Sequence, residues 1–442
     1  MKHGEYGVRH AVYLISVKSY WTTLFFTMWL SSSYLNGQQP RHIRFQDLPA
    51  GWAESESSFN RAIAELERRT RERLLEGEND HLIAYLLQSA RFTTEPKIEP
   101  ALSAMEYMRA NAPAGPVPAA VAWRMDRFLK ARPGDDVRLA YFQRLVAGRG
   151  KPYLIAEYAR TMRFLYEKES GQTKNLPPAD LYQERGYATD TQVEANFAVW
   201  TALSVLKSLQ PGLRTDRILI VGPGLDLAPR TGLIDLFPPQ SYQPFAVADA
   251  ALSLGLARRE RLRVHALDIN PMVVGFFRDF SRRAGRRLNL ISGLRRDQLS
   301  SDFQDYFRQL GRQIGSEERL ELPPALAAHL GKSVAIRQEV AQAVTAAAMN
   351  ILTERYDPSP KYDLVVAANI LVYFNAQELR LALANICSML RPGGYLVHNE
   401  VRPELEEFGL ALGLVPVQAR TIQLSAGAGK PLFDSLIIQR RN

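Results

Sequence analysis

The sequence predicts an α/β fold, in which a mostly helical N-terminal domain precedes a parallel sheet that ends in an antiparallel hairpin. Three observations predict it. Apolar residues fall at helical spacing early in the chain, as in Ser58–Arg69 and His81–Leu87. From Ile218 onward, short apolar runs alternate with helical patterns, the rhythm of a parallel sheet. The chain closes with two strand-like runs, Val415–Leu424 and Leu432–Gln439, joined by the glycine-containing segment Ser425–Pro431.

The 442 residues suffice for a large core and two domains. The organisation reads as an N-terminal extension (1–40), a helical domain (41–175) and an α/β domain (180–442). In the extension, Lys2, Arg9 and Lys18 precede the apolar run Tyr20–Leu30 and three serines. That is the order of a signal peptide. The run is short for a membrane span, and no clear cleavage site comes after it. A signal, an anchor, a disordered extension and a misassigned start codon all stay open. In the helical domain Ser58 can cap the first helix. His81–Leu87 continues as a second helix, and six prolines punctuate the chain from Pro96 to Pro133. Tyr153–Tyr166 reads as another helix and Gly171–Pro178 as a linker.

In the α/β part, Val193–Leu209 reads as a helix before the strand Ile218–Val221. That strand runs into Gly222-Pro223-Gly224, with Asp226 two positions further on. Glycines at a strand's carboxyl end let the backbone turn tightly and approach a ligand. In open α/β sheets that is where nucleosides bind. The third glycine of a dinucleotide fingerprint is missing, since Leu227 stands there, and no Gly-Lys-Ser/Thr phosphate loop is present. Pro229–Gln243 reads as an insertion, either a surface loop or a flap, with a helix over Ala246–Leu256. Arg263–Asp268 is a strand ending in an acid, with Pro271 opening the next helix. Such an acid can accept both hydroxyls of a ribose. Leu288–Leu294 reads as a further core strand, and about 297–346 as a mostly helical insertion that can serve as a lid. Tyr362–Phe374 reads as a strand with Asn369 near its carboxyl end, and Met389–His398 as a helix end, a glycine turn and a strand.

These pieces, in this order, resemble the Rossmann-like (class I) S-adenosylmethionine-dependent methyltransferases, over about Leu181 to Asn442. By that resemblance Gly222 and Gly224 match the first glycine motif, and Asp268, with Ile269 beside it, the ribose acid. Asp226 replaces the usual last glycine and would lie near the methionine amino group. Asn350-Ile351 followed by Tyr362–Asn375 is similar to the chemotaxis-receptor (CheR-type) glutamate methyltransferases. The likeness implies that Asn350 and Ile351 contact adenine and that Asn369 and Ile370 border the methionine half. Ala368 stands where that family has arginine, so the cofactor site carries over and the glutamate substrate does not. The implied cofactor is S-adenosyl-L-methionine, and its cytosolic supply implies a cytoplasmic location.

Methyl transfer from a positive sulfur needs positioning and dryness more than covalent help. A base is needed only for a protonated nucleophile. Tyr373 and Glu400 are the candidates for lining the acceptor pocket or acting as base. No Asn/Asp-Pro-Pro-Tyr/Phe loop stands after the fourth strand, which argues against amino-methylation of adenine, cytosine or glutamine. Small molecule, lipid and protein carboxylate remain open as acceptors. The alternatives are an NAD(P)-dependent oxidoreductase, disfavoured by Leu227 and the distant Asp268, and a non-catalytic Rossmann-like binding protein.

Composition sets further bounds. The formal net charge of +9 permits an anionic partner, and arginines concentrate in 258–312. A solvated helix face is the plainer reading of them. The lone cysteine, Cys387, excludes an intramolecular disulfide and reads as core. No cysteine and histidine cluster has metal-ligand spacing, so no metal is expected.

Overall fold

The computed structural model describes residues 39–110, 116–170, 178–229, 233–426 and 431–442. Of the candidate signal or anchor (1–40), residues 1–38 lie outside the described residues, as do residues 171–177 of the Gly171–Pro178 linker.

After a two-residue strand β1 (Arg41–His42), helices α1 (Glu56–Gln88), α2 (Pro100–Arg109), α3 (Ala119–Lys130), α4 (Val137–Val146), α5 (Gly150–Ser170) and α6 (Pro178–Gln183) form the N-terminal part. α1 is one helix of 33 residues where the apolar pattern suggests two. Its cap is Ser55 rather than Ser58: the Ser55 hydroxyl accepts the Ser58 amide at 3.2 Å. No proline breaks it, and its one glycine serves packing. A Cβ on Gly77 would lie 1.8 Å from the carbonyl oxygen of Tyr187, and one on Gly186 would lie 2.3 Å from the Gly77 nitrogen. The chain at 186–187 therefore crosses α1 in direct backbone contact. The first half of α1 is largely exposed, and from Gly77 to Gln88 it is almost wholly buried.

The α/β part begins with α7 (Ala195–Leu209) and β2 (Arg217–Val221), followed by α8 (Gln243–Ser253), β3 (Arg263–Asp268) and α9 (Pro271–Arg282). Next come β4 (Arg287–Arg295), α10 (Ser301–Gln309), β5 (Gly315–Glu318), β6 (His329–Ile336), α11 (Gln338–Ala343) and β7 (Val344–Ala348). A short β8 (Glu354–Arg355) pairs with β1, before β9 (Tyr362–Ala367) and α12 (Ala376–Met389). The chain finishes with β10 (Leu390–His398), α13 (Pro403–Ala411), β11 (Leu414–Gln423) and β12 (Phe433–Arg441).

The main sheet has the order β11-β12-β10-β9-β2-β3-β7. β7, β3, β2, β9 and β10 are parallel, and β12 is antiparallel to both β10 and β11. Strand order reverses between β2 and β9. That is the topological switch point, where such sheets open a crevice at the strands' carboxyl ends.

Two expectations are corrected here. The stretch 297–346 is not mostly helical. It holds α10 and α11, but also β5 and β6, which with β4 make a separate antiparallel sheet in the order β4-β6-β5. Accordingly Leu288–Leu294 belongs to that small sheet and not to the core sheet. The third core position is taken by β7, whose Val-Thr-Ala-Ala-Ala sequence reads locally as helix because alanine favours it. Pairing with β3, from Val264 opposite Val344 to Asp268 opposite Ala348, overrides that preference.

Both faces of the sheet are buried. Along β2, Ile218 and Ile220 join one core while Leu219 and Val221 join the other. The first core continues without a break into the helical part through Leu82, Met125, Phe128 and Phe142. Each fully buried side chain of this kind contributes about 1.5–3 kcal/mol.

Candidate functional site

The switch point brings the glycine loop and the β9 loop together. Gly222 (φ +64°) and Gly224 (φ +72°) both take left-handed backbone, which glycine adopts without strain. The Gly222 amide donates to the Leu267 carbonyl at 2.7 Å, binding the loop to β3. A Cβ on Gly222 would lie 1.9 Å from Ile370 Cδ1, and one on Gly224 would lie 2.6 Å from the Thr189 carbonyl oxygen. Ile370 and the segment around Thr189 thus cover the loop from two sides.

Asp268 ends β3 and is buried. Its Oδ1 accepts the Asn270 amide at 2.8 Å, and its Oδ2 receives the Gly224 amide at 3.4 Å. Burial outweighs these bonds and pushes the carboxyl up to about 7. The cap of α9 is Asn270, whose side chain accepts the Met272 amide at 2.9 Å, so Asp268 is not spent on capping. Ile269 lies between them in the chain. Beyond β7, Asn350 and Ile351 are buried next to this acid, since Met349 donates its amide to the Asp268 carbonyl at 3.1 Å. Asn350 Oδ1 caps the Leu352 amide at 3.1 Å.

Asn369 has the left-handed φ of 59° and is exposed. Asn399, just past β10, holds it twice: Asn399 Oδ1 accepts the Asn369 amide at 2.8 Å and Asn399 Nδ2 donates to Asn369 Oδ1 at 2.6 Å. Asp226 accepts the Tyr242 hydroxyl at 2.8 Å. Burial raises its carboxyl to about 7 against the pull of the Arg138 guanidinium. Tyr373 sits edge-on to the rings of Tyr182 and Tyr187, at 5.9 and 5.8 Å. Burial pushes its phenol up to about 12, so it stays protonated at neutral pH. Glu400 comes just after β10, and its carboxyl is raised by burial and opposed by Arg402.

The helical part supplies groups that no sequence spacing pointed to. Glu78 of α1 accepts Asn270 Nδ2 at 2.8 Å and the Tyr141 hydroxyl, and burial pushes its carboxyl up. His81 Nε2 receives the Thr189 amide at 3.0 Å, fixing the segment above Gly224. Arg138 of α4 is 5% exposed and donates to the carbonyls of Asp226, Leu227, Ile234 and Phe237. Asp235 answers from the insertion, accepting the Ser89 hydroxyl at 2.7 Å and the Ala90 amide at 2.8 Å. The Pro229–Gln243 insertion is therefore fastened to the helical layer over its described residues.

Glycine at 222 and 224 is required by the close approach of Ile370 and the Thr189 carbonyl to the loop. Both Asp268 oxygens accept backbone amides, at 2.8 and 3.4 Å, and a carboxylate has further lone pairs to offer hydroxyl donors. Residues 317–407 match the family described as CheR methyltransferase, SAM binding domain. Among curated proteins none matches the sequence. Solved structures that align with the chain include the N-methyltransferase NodS from Bradyrhizobium japonicum WM9, at 16% identity over 56% of this chain and 97% of that one, with a TM-score of 0.28. Another is the magnesium protoporphyrin IX methyltransferase (ChlM) from Synechocystis PCC 6803 with bound SAM, at 11% identity over 61% and 100%, with a TM-score of 0.29. TrmN from Thermus thermophilus aligns at 14% identity over 57% and 52%, with a TM-score of 0.27. Nothing among these matches favours a dinucleotide oxidoreductase. The family match runs from within β5 to within α13 and supports S-adenosylmethionine-dependent methylation of an unspecified acceptor, with CheR-like similarity over those residues.

Proposed function

We propose that the cofactor of this methyltransferase lies across the carboxyl ends of β2, β3, β7 and β9. In this reading Asp268 and Ile269 hold the ribose, Asn350 and Ile351 flank the adenine, and Gly222, Gly224, Asp226, Asn369 and Ile370 surround the methionine half. The single observation that carries it is Asp268. A buried strand-end carboxylate at about 7, bridged to the Gly224 amide, stands beside the switch point. Hydroxyl donors would satisfy it.

S-Adenosylmethionine, when bound, supplies a methyl group already activated by positive sulfur. The protein's own residues then orient and exclude water. The Thr189 segment and Ile370 close over the glycine loop. Arg138 and Glu78 fix the elements that carry Asp226 and Asn270. Positioning of this kind is worth about 7–11 kcal/mol. Tyr373 serves in packing, since its phenol is enclosed and protonated, and Glu400 remains the orienting candidate at the acceptor end. The helical part (41–175) acts as the roof of the 180–442 unit.

Calorimetry with S-adenosylhomocysteine and, in parallel, with NAD tests the assignment. Binding of the first and not the second is expected; a folded sample that binds neither overturns it. Asp268→Ala should weaken S-adenosylhomocysteine at least tenfold, about 1.4 kcal/mol. An unchanged affinity removes Asp268 from the ribose.

No helix among the described residues is long and apolar enough to cross a membrane. We place the enzyme in the cytoplasm because its cofactor is made there. Any anionic partner would meet the exposed Arg258, Arg261, Arg263, Arg282, Arg283 and Arg287. They cluster where β3 and β4 begin and α9 ends, away from the glycine loop. Retention on heparin that falls steeply with salt, and falls with Arg-to-Gln changes there, is the expected result.

A further inference from the structure

The acceptor end holds a carboxylate that neither the motifs nor the family match assigns. Asp434 is the second residue of β12. Because β12 runs antiparallel to β10 with His398 opposite Ile437, its first residues reach past the carboxyl end of β10, onto the face where Asn369 stands. Asp434 Oδ1 accepts the Ser435 amide at 2.8 Å and Asn399 Nδ2 at 3.3 Å. The same Asn399 holds Asn369 by its two bonds. A side-chain chain therefore runs from Asp434 through Asn399 to Asn369, whose neighbour Ile370 lies on Gly222. Asp434 Oδ2 accepts no hydrogen bond from the described residues, and burial raises the carboxyl.

The surroundings suit a nucleophile that carries its own proton. A carboxylate acceptor needs a cation, and position 368 is a buried alanine. Arg402 is engaged, donating to the Phe374 carbonyl at 2.7 Å and pairing with Glu404 at 3.8 Å. Arg185 is engaged with Asp80 at 3.1 Å. Glu400 adds a second acid next to Asn399. A carboxylate brought here would meet like charges. Val401 and Phe433, which follow Asn399 by two residues and precede Asp434 by one, are apolar and more than half exposed.

We propose that Asp434 is the catalytic base, and that the acceptor is a neutral or cationic molecule presenting an amine or hydroxyl, not a carboxylate. The proposal rests on the cofactor placement above. The nucleophile's lone pair forms the bond to the methyl carbon while the carbon–sulfur bond breaks with its pair going to sulfur. The N–H or O–H proton passes to Asp434 Oδ2 and from there to water.

Two measurements on the full-length protein test it. Cell extract is labelled with S-adenosylmethionine carrying a tritiated methyl, and the products are treated with mild alkali. Methyl esters release the label as methanol, whereas N-methyl and ether products keep it. Retention is expected; release, or no alkali-stable label at all, overturns the proposal. Asp434→Asn keeps an oxygen for Ser435 and Asn399 but removes the base. It should cut transfer about a hundredfold or more and leave S-adenosylhomocysteine affinity within about twofold. Undiminished transfer, or affinity lost together with transfer, overturns the catalytic role. The alkali test uses the wild-type protein, so it stands even if the variant fails to fold. Failure of the wild type to bind S-adenosylhomocysteine would instead strike the cofactor placement.

Discussion

The two ends of the switch-point face are built from different materials. At the β3 end, backbone amides and buried ionisable groups meet. Gly224 and Asn270 donate to Asp268, Glu78 holds Asn270, and Arg138 gathers four carbonyls. At the β9 end, two side-chain amides and a carboxylate join one another, with Asn369 exposed. Buried backbone bonds admit one geometry, because an unmade bond costs about 1–3 kcal/mol. Side-chain amides at the surface can be exchanged residue by residue. In the proposed placement the ribose and adenine take the first kind of site, and the methionine half meets a variable acceptor at the second.

The largest expected effect lies at the β3 end. Arg138→Ala would leave four carbonyls without this donor, two in fully buried and two in part-buried bonds, and each buried orphan costs about 1–3 kcal/mol. A loss of at least about 3 kcal/mol should appear in urea unfolding. A change under about 1 kcal/mol would show the end to be far less rigid than its bonding implies.

Next in size, Gly224→Ala combines a left-handed φ with a contact against Thr189. It should lower S-adenosylhomocysteine affinity about tenfold or more, as strain of about 1–3 kcal/mol converts to binding. Calorimetry at equal melting temperature separates this from unfolding.

A pH series sharpens the comparison further. Asp268 has its carboxyl raised from 3.8 to about 7 by burial. A raised acid stabilises the free protein below its unfolded value, and that stability is lost as pH rises through about 7. Hydroxyl donors favour the ionised form, so affinity should move the opposite way and weaken as pH falls below about 7. Asp268→Asn should flatten the affinity profile, while Asp226→Asn should leave a dependence in place. Identical profiles for wild type and Asp268→Asn would show that Asp268 does not face the ligand.

The smallest effect is expected at the acceptor end. Asn399→Ala frees Asn369, at the methionine half, from both of its bonds, and S-adenosylhomocysteine affinity should fall by no more than about fivefold, about 1 kcal/mol. A tenfold loss would join the two ends into a single unit.

Much of the β3 end was legible in the sequence because its parts are local. An apolar run into Gly-Pro-Gly needs a strand and a turn, and Asp268 ahead of Asn270-Pro271 marks a strand end before a capped helix. Glu78, His81 and Arg138 were not legible. Glu78 meets Asn270 across 192 residues, and nothing in an amphipathic helix reveals which polar face will be covered. β7 was hidden for a related reason, since alanines signal helix locally and become strand only beside β3. Asn399 and Asp434 come together only when β12 pairs with β10.

The crossing of 186–187 over α1 at Gly77 bears on the order in which the chain can assemble. The Tyr187 amide donates to the Arg73 carbonyl at 2.8 Å, and Arg73 also donates to the Tyr373 carbonyl across 300 residues. Contacts so distant in sequence form late, after their loops are closed. As the chain leaves the ribosome, the buried half of α1 has neither 186–187 nor the sheet to cover it. Expressed without the α/β part, the helical layer would display an apolar face set with Glu78 and His81, a surface suited to chaperone capture and poorly suited to independent folding.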